Sequence, residues 1–200
     1  KKVKEAEFTI EEWDKQQAIQ KKKENADLLT LGFSTFYLNR TNRSGIIQAG
    51  PIGGRNQTGN YKMNCRYNIE VLVNKIELIA NNRNKIRLYN LDAIEFIKNN
   101  IRRTKRSLTF FDPPYFVKGK QLYTNFYEYI DHLELRDTID KYMSNHKWIL
   151  TYDFHDKIKN MYSNFEYFPY VLNYSAGNSK KGVEYLFLSQ TISSTKIDKY

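Results

Sequence analysis

The sequence predicts an α/β fold, and three observations support that prediction. From Glu70 onward, stretches with helical spacing of apolar residues alternate with short apolar runs typical of strands. One such run, Leu108 to Phe111, stops at two consecutive prolines, which cannot donate to a β-ladder. Two later β-rich runs, residues 167–174 and 183–190, flank a polar loop and predict an antiparallel hairpin. With 200 residues, 40% of them hydrophobic, the chain can form one domain, or one with a small second domain.

The first 70 residues are predicted to form a separate domain of two helices and a hairpin. Thr9 and Glu12 have the spacing of a capping box, and the stretch that follows, to about Lys23, contains no glycine or proline. A second helix is predicted from Asn25 to Leu38, where apolar residues recur at helical spacing. Within residues 40–68, the runs 46–49 and 61–65 are predicted to pair as the short strands of the hairpin.

The predicted hairpin is basic. Residues 39–68 contain no acid and carry five basic side chains: Arg40, Arg43, Arg55, Lys62 and Arg66. Such a stretch is expected of an arm that reaches the phosphate backbone of a nucleic acid. The same side chains could instead contact guanine at its base edge, so we predict DNA contacts without assigning them to bases or phosphates.

Residues 71–200 are predicted to form a second domain of alternating helices and strands. The expected helices cover residues 70–81, 93–101, 131–143 and 156–162, and the expected strands cover residues 85–90, 108–111, 147–152 and the C-terminal hairpin.

Composition limits the possible functions. The net charge of +10 predicts attraction to polyanions, and 16 tyrosines with 12 phenylalanines provide rings on which bases can stack. The single cysteine excludes an internal disulfide, and three scattered histidines do not predict a metal site; His132, at a helix start, is expected to be a surface or capping residue. No run of 18 apolar residues or leader pattern is found, so we predict an intracellular, cytoplasmic protein without a membrane partner.

The four residues Asp112, Pro113, Pro114 and Tyr115 are the predicted reaction site, because polar groups at a strand end lie where α/β sheets bind ligands. An amine conjugated to an aromatic base is a poor nucleophile. Hydrogen bonds from the amine to the Asp112 carboxylate and the Pro113 carbonyl would favour its pyramidal, more nucleophilic form. Tyr115 would stack on a base turned out of the duplex.

Two loops are predicted to assist. Tyr123, Phe126 and Tyr127 follow the tetrad and either close over the extruded base or pack on the sheet. The segment from Gly177 to Gly182 is predicted to be a hairpin tip that touches the DNA backbone, because it lacks the strand-before, helix-after setting of a phosphate loop.

The chain resembles the DNA adenine-N6 methyltransferases of the Dam type over roughly residues 30 to 190. The resemblance rests on five blocks: the strand with Asp112-Pro113-Pro114-Tyr115, Phe36-Tyr37-Leu38-Asn39-Arg40, Cys65-Arg66-Tyr67-Asn68, the strand-end acid Asp92, and the strand from Trp148 to Asp153. It implies a Rossmann-like class I methyltransferase sheet with an order resembling 3-2-1-4-5-7-6. It also implies duplex DNA as partner, S-adenosylmethionine (AdoMet) as methyl donor, no metal, and Asp92 and Asp112 near the donor. The segment between the Asn39-Arg40 and Arg66-Tyr67-Asn68 blocks is then expected to belong to a target recognition domain, residues 1–70, and residues 71–200 are expected to form the C-terminal part of the catalytic domain.

One expected block is absent from the sequence. The family carries a glycine-rich strand-to-helix turn that wraps the methionine end of AdoMet, and these 200 residues contain no such turn. We therefore expect strands 1 and 2 of the sheet to be missing here and to be supplied by an N-terminal segment or a complementing chain. Two alternatives stay open, a DNA-binding remnant without catalysis and a methyltransferase for RNA or a protein amide.

Overall fold

The computed structural model describes residues 1–117, 126–174 and 180–192, and the chain folds as two units, Lys1–Leu88 and Tyr89–Tyr200. The first unit contains the helices α1 (Ile10–Lys21), α2 (Leu28–Thr41) and α3 (Ile69–Asn81). The second contains α4 (Ala93–Asn99), β1 (Leu108–Phe111), α5 (Tyr129–Met143), β2 (Lys147–Asp153), α6 (Asp156–Met161), β3 (Glu166–Tyr174) and β4 (Lys180–Leu188). The α/β class is confirmed. The functions predicted for residues 1–70 and 71–200 stay predictions. Helix α3, which was expected in the second domain, lies in the first unit.

Side-chain caps fix where the helices of the first unit begin. The Thr9 hydroxyl accepts a hydrogen bond from the backbone N–H of Glu12 at 3.1 Å. Asp27 accepts one from Thr30 at 3.0 Å, and Asn68 caps α3 in the same way. Each cap satisfies a backbone donor that the helix leaves unpaired, so these three residue types locate the helix starts.

Aromatic side chains form the core of the first unit. Tyr37 and Leu38 of α2 are fully buried, and the Phe8 ring lies at centroid distances of 6.3 Å from Tyr37 and 4.9 Å from Tyr67. Trp13 of α1 donates its indole N–H to the side-chain oxygen of buried Asn42 at 2.6 Å. The last turn of α2 is thereby tied to α1.

The predicted hairpin of residues 40–68 does not form. Between α2 and α3 the backbone makes an isolated bridge from Asn42 to Pro51, and the segments 43–45 and 63–66 are single 3₁₀ turns. Side-chain amides bind the groups that a ladder would use: Asn42 donates to the carbonyls of Ile46 and Ile47, and Gln57 binds the backbone of Ile52 and Met63. Such local bonds compete with strand pairing, so the segment is a compact loop.

The second unit contains a four-stranded sheet in the order β1-β2-β4-β3. β1 and β2 are parallel, whereas β4 pairs antiparallel with both β2 and β3. The predicted C-terminal hairpin is therefore confirmed. The order of these four strands agrees with positions 4-5-7-6 of the order that the resemblance implies.

The core of the second unit is built around β2. Trp148, Leu150 and Tyr152 point from this strand into the core and are at most 1% exposed. Ile139 and Met143 of α5 are also fully buried in this cluster. Because β2 has neighbours on both edges and buried side chains along its length, it holds the end of β1 in a fixed position.

The strand predicted for residues 85–90 does not form. Residues 83–85 make a 3₁₀ turn, and the chain that follows has no ladder partner among the described residues. The side chains of Ile86 and Leu88 are 50% and 95% exposed. A strand needs an adjacent strand to satisfy its backbone, and in the described part of the chain β1 pairs only with β2.

Candidate functional site

The tetrad lies at the carboxyl end of β1. Asp112 follows the last strand residue, Phe111, and the neighbouring parallel strand β2 ends at Asp153. The carboxyl ends of parallel strands meet at one edge of a sheet, which is the usual ligand-binding edge of α/β folds. Sequence and topology thus bring the tetrad and the end of β2 together.

The Asp112 carboxylate is hydrogen-bonded to β2 and exposed to solvent. Its Oδ1 accepts a hydrogen bond at 3.1 Å from the hydroxyl of Thr151, which is buried on β2. The Asp112 side chain itself is exposed, whereas Pro113 is buried and Pro114 is half-buried. The two prolines anchor the turn, and the carboxylate stays accessible to a ligand.

Tyr115 is held by a buried carboxylate. Its hydroxyl donates to Oε1 of Glu184 at 2.6 Å, and the hydroxyl of Tyr170 on β3 donates to Oε2 at 2.6 Å. Glu184 lies on β4 and is 3% exposed. Hydrogen bonds of this length between a hydroxyl and a carboxylate are charge-assisted and strong.

The chain that leaves the tetrad is held by Asp153. The backbone N–H of Phe116 donates to one carboxylate oxygen at 2.7 Å, and the N–H of Val117 donates to the other at 2.9 Å. Both donors belong to a turn with no ladder of its own. Asp153 therefore satisfies two backbone groups and fixes the direction of the chain after Tyr115.

His132 is buried beside this turn, although the sequence suggested a surface or capping residue. It is 1% exposed, and its Nδ1 lies 2.6 Å from the Tyr152 hydroxyl. Its ring lies 5.2 Å from that of Phe116 and 5.3 Å from that of Tyr127. Burial lowers the pKa of His132, although the charges of Asp153 and Asp131 act in the opposite direction. The prediction failed because His132 lies on the same face of α5 as buried Leu135 and Ile139, which packs against the core.

Of the three residues predicted to close over a base, Tyr123 lies outside the described residues. Phe126 is 42% exposed, and Tyr127 is half-buried against His132. Tyr127 thus packs against a helix of the second unit, and a role of these residues at the extruded base stays a prediction. Of the predicted tip at residues 177–182, residues 177–179 lie outside the described residues and residues 180–182 belong to β4, so its contact with DNA stays a prediction.

Asp92 caps a helix. Its Oδ1 accepts hydrogen bonds from the backbone N–H groups of Ile94 at 2.9 Å and Glu95 at 3.2 Å, at the start of α4. The side chain is exposed. Proximity to a methyl donor stays a prediction for this residue.

The five basic residues of the segment 39–68 differ in their surroundings. Arg55 makes a bidentate ion pair with Asp14, at 2.8 and 2.7 Å, and its guanidinium lies 5.6 Å from the centroid of the Trp13 ring. This hydrogen bonding and charge lower the pKa of Asp14. Lys62 donates to the carbonyl of Gln57. Arg40 is half-buried, whereas Arg43 and Arg66 are exposed.

Comparison with protein families matches residues 2–175 to the D12 class of N6 adenine-specific DNA methyltransferases. The chain belongs to this family. The Dam-type resemblance and the activity of an adenine-specific DNA methyltransferase are thereby confirmed. No curated protein matched the chain.

The D12 family implies AdoMet as the methyl donor and DNA as the substrate. The described residues match only part of a donor site, because β1 has no neighbour on its outer edge and one oxygen of Asp92 is engaged in the α4 cap. Within residues 1–117, 126–174 and 180–192, no group of three His, Cys, Asp or Glu side chains is arranged to hold a metal ion. In the same ranges, no helix is long and apolar enough to cross a membrane.

Sequence reasoning missed Thr151, Asp153 and Glu184 as partners of the tetrad. Asp153 could have been predicted from the sequence, because an acid at the end of a strand parallel to β1 must lie at the same sheet edge. Glu184 gives a weaker signal, a single acid inside the apolar run of β4. Only the register of β4 beside β2 places it next to the tetrad.

Proposed function

We propose that this D12-class chain provides the target-base side of an enzyme that methylates the N6 amine of adenine in duplex DNA, after the adenine has turned out of the helix. The observation that carries the proposal is the tetrad geometry. The exposed Asp112 carboxylate is oriented by Thr151, and Tyr115 is fixed by Glu184 at the same strand end.

Asp112 and the carbonyl of Pro113 act on the adenine amine. The carboxylate accepts one amine hydrogen and the carbonyl accepts the other, which favours the pyramidal amine with its lone pair available. Proline suits this position because it offers an acceptor without a competing backbone donor. The donor supplies an electrophilic methyl group when it is bound.

Tyr115 receives the adenine ring. Turning a base out of the duplex loses stacking energy of a few kcal/mol, and an aromatic face in the pocket replaces part of it. Its hydroxyl is already bonded to Glu184, so the ring needs little reordering when the base arrives.

Arg43 and Arg66, which are both exposed, are proposed to contact the DNA backbone together with Arg40, Arg55 and Lys62. The net charge of +10 supports this assignment, because a positive field attracts duplex DNA.

We further propose that another segment or chain completes the donor side by pairing with the outer edge of β1. Leu108 and Phe110 on β1 are 61% and 59% exposed, which is unusual for apolar residues of a sheet in an α/β protein.

The decisive test is Asp112→Ala in the complete enzyme, with transfer of a labelled methyl group from AdoMet to unmethylated duplex DNA as the measurement. Transfer is expected to fall by at least about 100-fold, because the amine loses an oriented acceptor, while the Kd for DNA changes less than about 3-fold. The control is Asp140→Ala, which removes an exposed acid of α5.

Transfer near the normal rate by Asp112→Ala would contradict the proposal. Duplex DNA must also compete better than RNA for the labelled methyl group. A preference for RNA would reject the duplex DNA assignment.

A further inference from the structure

We propose that Glu184 and Asp153 act together as positioning residues for Tyr115. This inference rests on the proposed function, since it assumes that the Tyr115 ring receives the target base. Glu184 fixes the far end of the tyrosine side chain, and Asp153 fixes the backbone just after it.

The two carboxylates are neighbours in the sheet. Asp153 of β2 lies directly opposite Glu184 of β4 in the antiparallel register. Side chains of directly opposite residues lie on the same face of a sheet, with Cβ atoms about 5 Å apart. One pair of strands therefore presents both acids to the chain that leaves β1.

Glu184 restrains the orientation of the tyrosine ring. A carboxylate that is 3% exposed must be compensated by hydrogen bonds, and here each oxygen accepts one phenol hydrogen at 2.6 Å. Because the hydroxyl oxygen lies on the long axis of the ring, this bond fixes the position of the far end of the Tyr115 side chain and so the direction of that axis. Tyr170 of β3 holds the same carboxylate from the other side, so Glu184 cannot follow a moving Tyr115.

Asp153 restrains the backbone of the same residue. Its two bonds, at 2.7 and 2.9 Å, fix the peptide groups of Phe116 and Val117, and the Phe116 ring packs 4.9 Å from His155 and 5.2 Å from His132. Tyr115 is thus held at its hydroxyl by one acid and at its following peptide by the other. A misplacement of about 1 Å in a reaction site can cost about 100-fold in rate, so both restraints matter for catalysis.

The test is a double-mutant cycle in the complete enzyme with Glu184→Gln and Tyr115→Phe. Glu184→Gln keeps the shape of the side chain but replaces one acceptor oxygen with a donor. We expect kcat to fall about 10-fold or more, with the DNA KM changed less than about 2-fold. In the Tyr115→Phe background, where the hydroxyl is absent, Glu184→Gln should cause no further loss.

Tyr170→Phe is the matched control, because it removes the other phenol from Glu184 and leaves Tyr115 in place. It is expected to lower kcat less than Tyr115→Phe does. Asp153→Asn should lower kcat with an unchanged KM. Once the DNA recognition sequence is mapped, 2-aminopurine can replace the target adenine, and its fluorescence should report weaker stacking of the extruded base in this variant. Thermal melting of each variant separates loss of folding from loss of positioning.

The outcomes separate the two proposals. If Asp112→Ala abolishes transfer but Glu184→Gln leaves kcat within about 2-fold, only the positioning role is overturned. Multiplicative effects of Glu184→Gln and Tyr115→Phe would also overturn it, because Glu184 would then act independently of the hydroxyl. If Glu184→Gln does not fold, the kcat values of Tyr115→Phe and Tyr170→Phe are compared instead. Equal losses of kcat in these two variants reject the proposal. Full activity of Asp112→Ala would instead reject the proposed function.

Discussion

At the scale of single residues, the site depends on polar side chains that the sequence alone does not reveal as partners. Thr151, Asp153 and Glu184 each bind a different part of the segment from Asp112 to Val117. Their identities are plain in the sequence, but their roles follow from strand register. A hydrogen-bond partner that lies 69 residues away, as Glu184 does from Tyr115, can be found only when the sheet order is known.

His132 gives the second unit a pH-dependent stability. Its pKa is lowered by burial, so below the unfolded value of about 6.5 the unfolded chain binds more protons than the folded protein. The free energy of unfolding is therefore expected to fall as the pH drops below about 6.5. Urea unfolding at pH 7.5 and 5.5 measures this change.

The variant His132→Gln should reduce the difference in urea midpoint between these two pH values, and His146→Gln serves as its control. An equal pH dependence in His132→Gln and the unmodified protein would show that other groups are responsible.

At the scale of elements, the sequence predicted the helices better than the strands. Helix starts were predicted well where a capping side chain such as Thr9 lies next to a periodic apolar stretch. The prediction of a hairpin at residues 40–68 was wrong because the side-chain amides of Asn42 and Gln57 bind the backbone locally, which β-propensity does not capture. The prediction of a strand at residues 85–90 was wrong because a strand depends on a neighbouring strand, and no described strand pairs with these residues.

Asp92 offers a test that separates its cap from its predicted place near the donor. Asp92→Asn should keep the α4 cap, because asparagine caps about as well as aspartate, while Asp92→Ala should cost about 1 kcal/mol of stability. If Asp92 lies near the donor, Asp92→Asn should raise the KM for AdoMet without lowering the melting temperature. A KM equal to that of the unmodified enzyme would leave Asp92 with its structural role only.

At the scale of the whole molecule, charge should control the affinity for DNA. Each phosphate contact contributes about 0.9 to the slope of log Kd against log salt concentration. Exposed Arg43 is expected to contribute such a contact, whereas Arg55 is already paired with Asp14. Arg43→Gln should therefore lower the slope by about 1, and Arg55→Gln should lower it less.

Titrations of labelled duplex DNA between low and physiological salt check this difference, with Lys157→Gln in the second unit as a control for net charge. A larger loss of slope for Arg55→Gln than for Arg43→Gln would mean that the ion pair with Asp14 opens when DNA binds.

The outer edge of β1 has a consequence for when the enzyme becomes active. β1 has only four residues and is paired on one side in the described chain, and Asp112 is the residue that follows it. A strand that joins the free edge would add a second ladder immediately beside the reaction site and restrict the backbone that carries Asp112. The proposed completion of the sheet would thus restrain the Asp112 backbone from the edge of β1, in addition to the hydrogen bond that Thr151 already donates to its carboxylate, so that assembly and the final ordering of the amine acceptor would be coupled.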